Sequence, residues 1–125
     1  VVEDEALIAM ALQDILEGAQ ARVAVALTRE QAMAEIGGDR FDAAVVDLAL
    51  DGNSGGREVI AALRARWPRL PIVVSSAWPE AASVLRQQPP PGPAPAVLQK
   101  PWRAEAMLAA VQAAIAGLSG RGWSG

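Results

Sequence analysis

Five side chains whose chemistry could act together stand at the ends of short apolar runs in this sequence. They are Glu3, Asp4, Asp47, Ser76 and Lys100. Three carboxylates in one pocket repel one another, and a hard, oxygen-seeking cation such as Mg²⁺ relieves that repulsion. A hydroxyl beside them offers a hydrogen bond, and an ammonium offers a positive charge. The set therefore indicates carboxylate chemistry assisted by a hard metal, provided that the fold brings the side chains together.

The composition limits the chemistry to groups of these kinds. The chain has 125 residues, 52% of them apolar, which suits one domain with a real core. It contains no cysteine and no histidine, which excludes a Cys/His zinc site, a thiol nucleophile and any triad that needs imidazole. The formal net charge of −3, with no basic cluster, gives no electrostatic reason to bind nucleic acid or an anionic membrane.

No apolar run approaches the roughly 20 residues of a membrane span, and no secretory leader is recognisable. We therefore expect a soluble, cytoplasmic chain. The single domain is predicted to cover residues 1–118, and the glycine-rich segment 119–125 is predicted to be a disordered tail.

Five short apolar segments are predicted to be strands, because turn residues bound them and they are too short for helices. They are residues 1–2, 22–27, 43–46, 72–75 and 96–99. The run at 43–46 is best explained as a strand covered on both faces, as in a parallel sheet. It delivers Asp47 to its carboxyl end, and a turn is predicted soon afterwards at Asp51-Gly52.

Helical segments alternate with these strands. They are predicted at residues 5–17, 28–36, 55–66, 79–86 and 104–118. Thr28 and Gln31 form a capping box for the second helix, and Ser54 or Gly55 can cap the third. The proline tract at 89–95 is interpreted as an internal loop that replaces most of the fourth helix.

Strands that alternate with helices predict right-handed crossovers and a doubly wound α/β fold. We expect a flavodoxin-like, five-stranded parallel sheet in the order 2-1-3-4-5. In that order the carboxyl ends of strands 1, 3, 4 and 5 converge at one edge. All the candidate side chains then meet at that edge.

Four motifs end successive strands around this edge: Glu3-Asp4, Asp47, Ser76-Ala77 and Lys100-Pro101. In order and spacing they resemble those of a bacterial response-regulator receiver domain of two-component signalling. The resemblance covers essentially the whole chain and implies a CheY-like fold. It implies that Asp47 accepts a phosphoryl group from a sensor histidine kinase or a histidine phosphotransfer protein. The chain would then catalyse its own phosphorylation and slow dephosphorylation, without turnover of an external substrate.

The resemblance also implies a role for each group of the site. Mg²⁺ would be bound directly by Asp4, Asp47 and the carbonyl of Ala49, while Glu3 would act mainly through water. The serine hydroxyl and the lysine ammonium would hold the phosphoryl oxygens, where they stabilise charge during transfer. Ala49 and Trp78 would flank the path of the water that attacks the phosphoryl group.

Each residue taken alone has a simpler interpretation. Glu3 and Asp4 could cap the first helix. Asp47 could be a solvated turn residue, Ser76 a helix cap and Lys100 a surface charge. However, all four simpler interpretations would have to hold at four successive strand ends. A shared site explains the four positions together, and we therefore favour it.

Two features depart from the resemblance. Val97 stands where such domains usually carry an aromatic that turns inward with the hydroxyl, so the signal is expected to travel through Ser76 and the loop 77–80 instead. The proline tract shortens the fourth helix, which belongs to the face used for partners or dimerisation. Formation of a homodimer is therefore left open.

Two rival functions remain at this point. A small Mg²⁺-dependent phosphatase would use the same acids, but the aspartate-nucleophile pattern has a second acid where Ala49 stands. A phosphorylation-independent binding module would keep the fold and bind its partner equally well after Asp47→Asn.

Overall fold

The computed structural model of the chain describes residues 1–50 and 55–124, and of 118–124 only the backbone. Within these residues the helices are α1 (Ala6–Gly18), α2 (Arg29–Ile36), α3 (Gly55–Arg66), α4 (Ala81–Gln87) and α5 (Ala104–Ser124). The strands are β1 (Ala44–Asp47), β2 (Ile72–Ser76) and β3 (Ala96–Gln99). The turn predicted at Asp51-Gly52 and the cap predicted at Ser54 lie outside the described residues.

The three strands form a parallel sheet in the order β1-β2-β3. β1 and β2 are buried along their whole length because helices pack on both faces of the sheet. In the strand register Asp47 pairs with Ser75, and Ser76 pairs with Gln99. Since parallel strands end at the same edge, Asp47, Ser76 and Lys100 are brought to one side of the molecule.

The two further strands predicted from the sequence are reduced to bridges in the described part of the chain. Val2 forms single parallel bridges to Ala26 and to Val46. Its backbone N donates to O of Val45 at 2.8 Å, and N of Glu3 donates to O of Ala26 at 3.0 Å. So short a ladder defines a bridge and not a strand. The parallel α/β sheet is confirmed with three strands, and the five-stranded order stays a prediction.

The core has two halves, one on each face of the sheet. α1 and α5 pack on one face, against Val45 of β1 and Val73 of β2. α2, α3 and α4 pack on the other face. Side chains alternate along a strand, so Asp47 and Ser75, two residues further along, lie on the face of α1 and α5. Helices on both faces of a parallel sheet form the predicted doubly wound arrangement.

Local signals predicted two helix ends correctly. At the start of α2, Oγ1 of Thr28 accepts a hydrogen bond from N of Gln31 at 3.1 Å. In return Oε1 of Gln31 accepts one from N of Leu27 at 2.7 Å. α4 has only seven residues and ends before the proline tract, because proline cannot donate the next backbone hydrogen bond. The short fourth helix is thereby confirmed.

The segment between α4 and β3 is held by two arginines of α3. Nη1 of the buried Arg64 donates to O of Pro91 at 2.6 Å and to O of Pro93 at 2.7 Å. Nη2 of Arg57 donates to O of Gln88 at 2.6 Å. Prolines have no N–H to form a turn of their own, so side chains supply the donors that fix this loop.

α5 extends to Ser124, and the division of the chain into a domain at 1–118 and a tail at 119–125 stays a prediction. Among the helices of the described ranges, none is long and apolar enough to cross a membrane.

Candidate functional site

Three of the candidate carboxylates lie together at the carboxyl edge of the sheet. One oxygen from each of Glu3, Asp4 and Asp47 lies within 4.8 Å of those of the other two. The bridge between Val2 and Val46 sets this distance, because it places residues 3 and 47 side by side where parallel segments end. Glu3 and Asp47 are buried and Asp4 is exposed, so solvent reaches the cluster from the side of Asp4.

The two oxygens of Asp47 have different surroundings. Oδ1 accepts a hydrogen bond from N of Ala49 at 3.0 Å, which closes the turn after β1. Oδ2 lies 3.7 Å from Nζ of Lys100. One oxygen therefore holds the carboxylate in place, while the other faces the only lysine of the chain.

Lys100 is shared between several acids. Its Nζ lies 2.9 Å from Oε1 of Glu3, 3.7 Å from Oδ2 of Asp47 and 4.0 Å from Oε1 of Glu5. Burial alone would lower the pKa of Lys100, but its contact with Glu3 and the neighbouring carboxylate charges raise it above the ordinary value. The group is therefore a stable cation that stands between two buried carboxylates.

Glu3 is the most enclosed acid of the cluster, with 1% of its surface exposed. Oε2 accepts a hydrogen bond from N of Glu5 at 3.1 Å. Oε1, although close to Lys100, accepts no hydrogen bond of good geometry. Burial raises the pKa of Glu3 to about 7, an effect that Lys100 opposes and Asp47 reinforces. A carboxylate in this position is stabilised by any further cation.

The donor set fits a hard divalent cation. Such an ion prefers carboxylate and carbonyl oxygens and keeps several waters, so it needs few protein ligands. Oε1 of Glu3, which has Lys100 as its ion-pair partner but accepts no hydrogen bond of good geometry, and the exposed carboxylate of Asp4 are oxygens of the kind that such an ion prefers. The exposed Ala49 is joined to Asp47 by the hydrogen bond of the turn, so its backbone N lies next to the cluster.

The hydroxyl of Ser76 is engaged with its own loop. Ser76 ends β2 and is 1% exposed, and its Oγ accepts a hydrogen bond from N of Trp78 at 3.0 Å. Its backbone O accepts one from N of Lys100 at 2.7 Å. The serine is thus placed at the predicted edge, while its role toward a phosphoryl group stays a prediction.

The remaining positions singled out in the sequence lie around the site. Trp78 is 48% exposed, and Ala49 is exposed as well. Val97 on β3 is half-buried and packs against the core on the face of α2, α3 and α4.

Sequence reasoning missed a second hydroxyl contact beside the acids. Oγ of Ser75, the register partner of Asp47, accepts a hydrogen bond from Nε1 of Trp102 at 2.9 Å. A signal for it existed, because a serine in the middle of a buried strand needs a polar partner. Nothing in the local pattern shows which of the chain's polar groups that partner is.

Comparison with known proteins gives a consistent family and fold. The model of the response regulator receiver domain matches residues 1–112. No curated protein sequence matches significantly. A CheY-like response regulator receiver domain protein from Methanospirillum hungatei has a TM-score of 0.83 at 18% identity, over 96% of this chain and 94% of its own. A response regulator receiver protein from Sinorhizobium medicae has a TM-score of 0.80 at 23% identity, over 91% and 90%.

A third solved structure is similar in sequence as well as in fold. It is a response regulator protein from Burkholderia pseudomallei, with a TM-score of 0.77 at 27% identity, over 96% of this chain and 69% of its own. That structure contains a phosphorylated aspartic acid, a calcium ion and citrate.

Proposed function

Because the chain belongs to the response regulator receiver domain family, we propose that it is a phosphoryl-accepting switch of a two-component system. Asp47 accepts the phosphoryl group from a phosphohistidine of a sensor histidine kinase or a histidine phosphotransfer protein. The phosphohistidine lies outside these 125 residues, since they contain no histidine. The best support is the position of the buried Asp47, whose Oδ2 faces Lys100 at 3.7 Å within a cluster of acids.

The transfer uses groups that are already in place. Oδ2 of Asp47 attacks phosphorus, the P–N bond to the donor's imidazole breaks, and that imidazole takes up a proton. Oδ1 stays bonded to N of Ala49, so the carboxylate keeps its orientation. The ammonium of Lys100 needs only a small movement to neutralise charge on the phosphoryl oxygens.

Mg²⁺ is the cofactor that this cluster would hold. Asp4, Asp47 and the carbonyl of Ala49 would be its ligands, and Glu3 would act mainly through water. The cation would offset the repulsion between the acids and the incoming phosphoryl group. The close approach of the carboxylate oxygens of Glu3, Asp4 and Asp47 supports this assignment, and the Burkholderia pseudomallei protein with a phosphorylated aspartic acid also contains a calcium ion.

Ser76 would carry the signal away from the site. Once a phosphoryl group is present, its hydroxyl can donate to a phosphoryl oxygen. Oγ accepts from N of Trp78, so its movement would pull on the loop 77–80, whose residues are exposed. Val97 has no ring that could turn inward, which leaves this loop as the route for the change.

The proposal includes the finer architecture and setting of the domain. A sheet in the order 2-1-3-4-5 is supported by the bridges of Val2 to both Ala26 and Val46. A cytoplasmic location is proposed because the kinases and phosphotransfer proteins that act as donors present their phosphohistidine there. The net charge of −3 supports partners other than nucleic acid.

Labelling by a small phosphodonor tests the proposal. Incubation with acetyl phosphate and Mg²⁺ is expected to add one phosphoryl group to the wild type, read by intact mass, and none to Asp47→Asn. Asp42→Asn, which changes an exposed aspartate of the same segment, is the matched control and should be labelled like the wild type. Labelling of Asp47→Asn, or no labelling of the folded wild type, would contradict the proposal.

A further inference from the structure

The segment that carries Lys100 is fastened to β2 at two adjacent residues. N of Lys100 donates to O of Ser76 at 2.7 Å. Two residues later, Nε1 of Trp102 donates to Oγ of Ser75 at 2.9 Å. The first contact belongs to the backbone and is open to any residue, whereas the second needs a side-chain donor.

Ser75 stands directly beside the phosphoryl acceptor. It is the register partner of Asp47, and the side chains of both lie on the face of the sheet covered by α1 and α5. Ser75 is fully buried, so its hydroxyl depends on a protein partner. Trp102 packs into the same half of the core as Val73 and Met107. The indole therefore anchors the segment 100–102 to the strand next to Asp47.

The position of this segment decides what the ammonium can reach. Lysine has a flexible four-carbon stem, so its charge is placed by its backbone and by its ion pairs and not by a rigid side chain. Nζ of Lys100 now stands 2.9 Å from Glu3 and 3.7 Å from Asp47. A small shift of the backbone changes these distances by amounts that matter, because catalytic groups act over such short ranges.

We propose that Trp102 is a positioning residue, whose indole N–H holds Ser75 and thereby keeps the ammonium of Lys100 between Glu3 and Asp47. Its effect on phosphoryl transfer rests on the proposed function, but the placement of Lys100 can be measured without it. In this proposal the hydrogen bond of the indole, and not the bulk of the ring, keeps Lys100 in position. A phenyl ring at this position would fill much of the same space and leave Oγ of Ser75 without its donor.

Lys100 is the only lysine of the chain, which makes its environment directly measurable. The rate at which an amine-selective acylating reagent modifies Lys100, followed by peptide mass, reports how firmly the acids hold the ammonium. Trp102→Phe and Ser75→Ala should each raise this rate by about fivefold, the ratio expected from the loss of one hydrogen bond. The double variant should add little more, because both changes remove the same contact.

A matched control separates positioning from general destabilisation. Trp67→Phe changes a half-buried tryptophan that packs edge-on against Phe41, in the other half of the core. It should leave the acylation rate of Lys100 unchanged even where its unfolding midpoint falls as far as that of Trp102→Phe. Ser75→Ala should also shift the indole N–H resonance of Trp102 and speed its exchange with solvent, while the indole signal of Trp67 stays in place.

The possible results distinguish the two proposals. Unchanged acylation of Lys100 in both Trp102→Phe and Ser75→Ala, or an equal rise in Trp67→Phe, overturns the positioning role. Faster acylation in the two variants, with labelling by acetyl phosphate slowed by a similar factor, supports it. Faster acylation in a chain that acetyl phosphate never labels leaves the positioning role standing and rejects the phosphoryl-accepting function.

Discussion

Lys100 and Arg64 are both largely buried cations, but their surroundings are opposite. Lys100 faces the carboxylates of Glu3 and Asp47 at the carboxyl edge of the sheet. Arg64 faces backbone carbonyls of two loops, at Leu70 and in the proline tract. The pKa of Lys100 is raised by its acidic neighbours, whereas burial lowers the pKa of Arg64.

The difference indicates different roles for the two charges: Arg64 is the fixed cation, and we expect Lys100 to be the movable one. Carbonyl oxygens belong to the backbone, so the hydrogen bonds of Arg64 lock the loop between α4 and β3 into one arrangement. In the proposed function, the carboxylates of the site would exchange partners when a metal or a phosphoryl group arrives, so Lys100 would change position. We therefore expect changes at the site to affect phosphorylation and changes at Arg64 to affect stability.

The largest effect is expected from Asp4→Ala, which removes the exposed acid of the cluster. It should abolish labelling by acetyl phosphate at a Mg²⁺ concentration that saturates the wild type, because a direct ligand of the metal is lost. The free energy of unfolding should change by no more than about 0.5 kcal/mol, as for other surface substitutions. Asp14→Ala, at an exposed acid within α1, is the control. Wild-type labelling rates in Asp4→Ala would show that the metal site is assigned wrongly.

Lys100→Met tests the movable cation. Labelling should slow by roughly 10²–10³-fold, the usual cost of removing one group that stabilises transition-state charge. Mg²⁺ should bind about fivefold more tightly, since unit charges about 4 Å apart interact by ~1 kcal/mol even in water and the lysine no longer opposes the metal. Metal titration and labelling of the same sample check both. Slower labelling with weaker Mg²⁺ binding would mean that Lys100 supports the metal instead of competing with it.

Arg64→Met tests the fixed cation. Its removal takes the hydrogen-bond donors away from the carbonyls of Leu70, Pro91 and Pro93, which should lower the free energy of unfolding by about 3 kcal/mol, or about 1 kcal/mol for each hydrogen bond. Urea unfolding measures this, with the exposed Arg86→Met as control. The folded fraction should be labelled within about twofold of the wild-type rate, a change too small to reflect a catalytic contact. A stability loss no larger than that of Arg86→Met would mean that the hydrogen bonds of Arg64 do not stabilise the loop between α4 and β3.

Of the two regions, the surroundings of Lys100 were more predictable from the sequence than those of Arg64. Its acids and its lysine are placed by strand ends, and strand ends follow from short apolar runs and the turn residues around them. Thr28 and Gln31 were predictable for a similar reason, since a capping box is a local signal. The strands predicted at residues 1–2 and 22–27 are reduced to single bridges in the described part of the chain, because the length of a ladder depends on neighbours distant in sequence.

The contacts between Arg64 and the proline tract could not be predicted from the sequence. Arg64 stands in the last turn of α3, where a basic residue ordinarily interacts with helix carbonyls at the surface. Arg64 is buried because the proline tract folds over it. Pro91, which accepts one of its hydrogen bonds, lies 27 residues further along the chain. Gly92 permits this approach, since its positive φ of 83° suits glycine and a Cβ there would clash with Arg64. The contact between Trp102 and Ser75 escaped for the same reason, since it joins separate elements.

The smallest expected effect concerns the lifetime of phospho-Asp47. Ala49 and Trp78 are the positions proposed to flank the attacking water, and neither carries an acceptor for its proton. Hydrolysis should therefore be slow. Trp78→Glu would add such an acceptor on an exposed residue whose backbone N already contacts Ser76. Decay of the phosphoprotein should speed up by up to about tenfold, less than the ~10²–10⁴ of a well-placed general base.

Trp78→Gln separates the two ways in which this tryptophan could act. Glutamine has nearly the shape of glutamate but is a poor base, so Trp78→Gln removes the ring without adding a proton acceptor of comparable strength. Faster decay in Trp78→Glu alone would assign the long lifetime to a missing base. Equal acceleration in both variants would assign it to exclusion of water by the ring, although 48% of Trp78 is exposed. Unchanged or slower decay in Trp78→Glu would mean that this position does not border the path of water, because a carboxylate next to that path would have raised the rate.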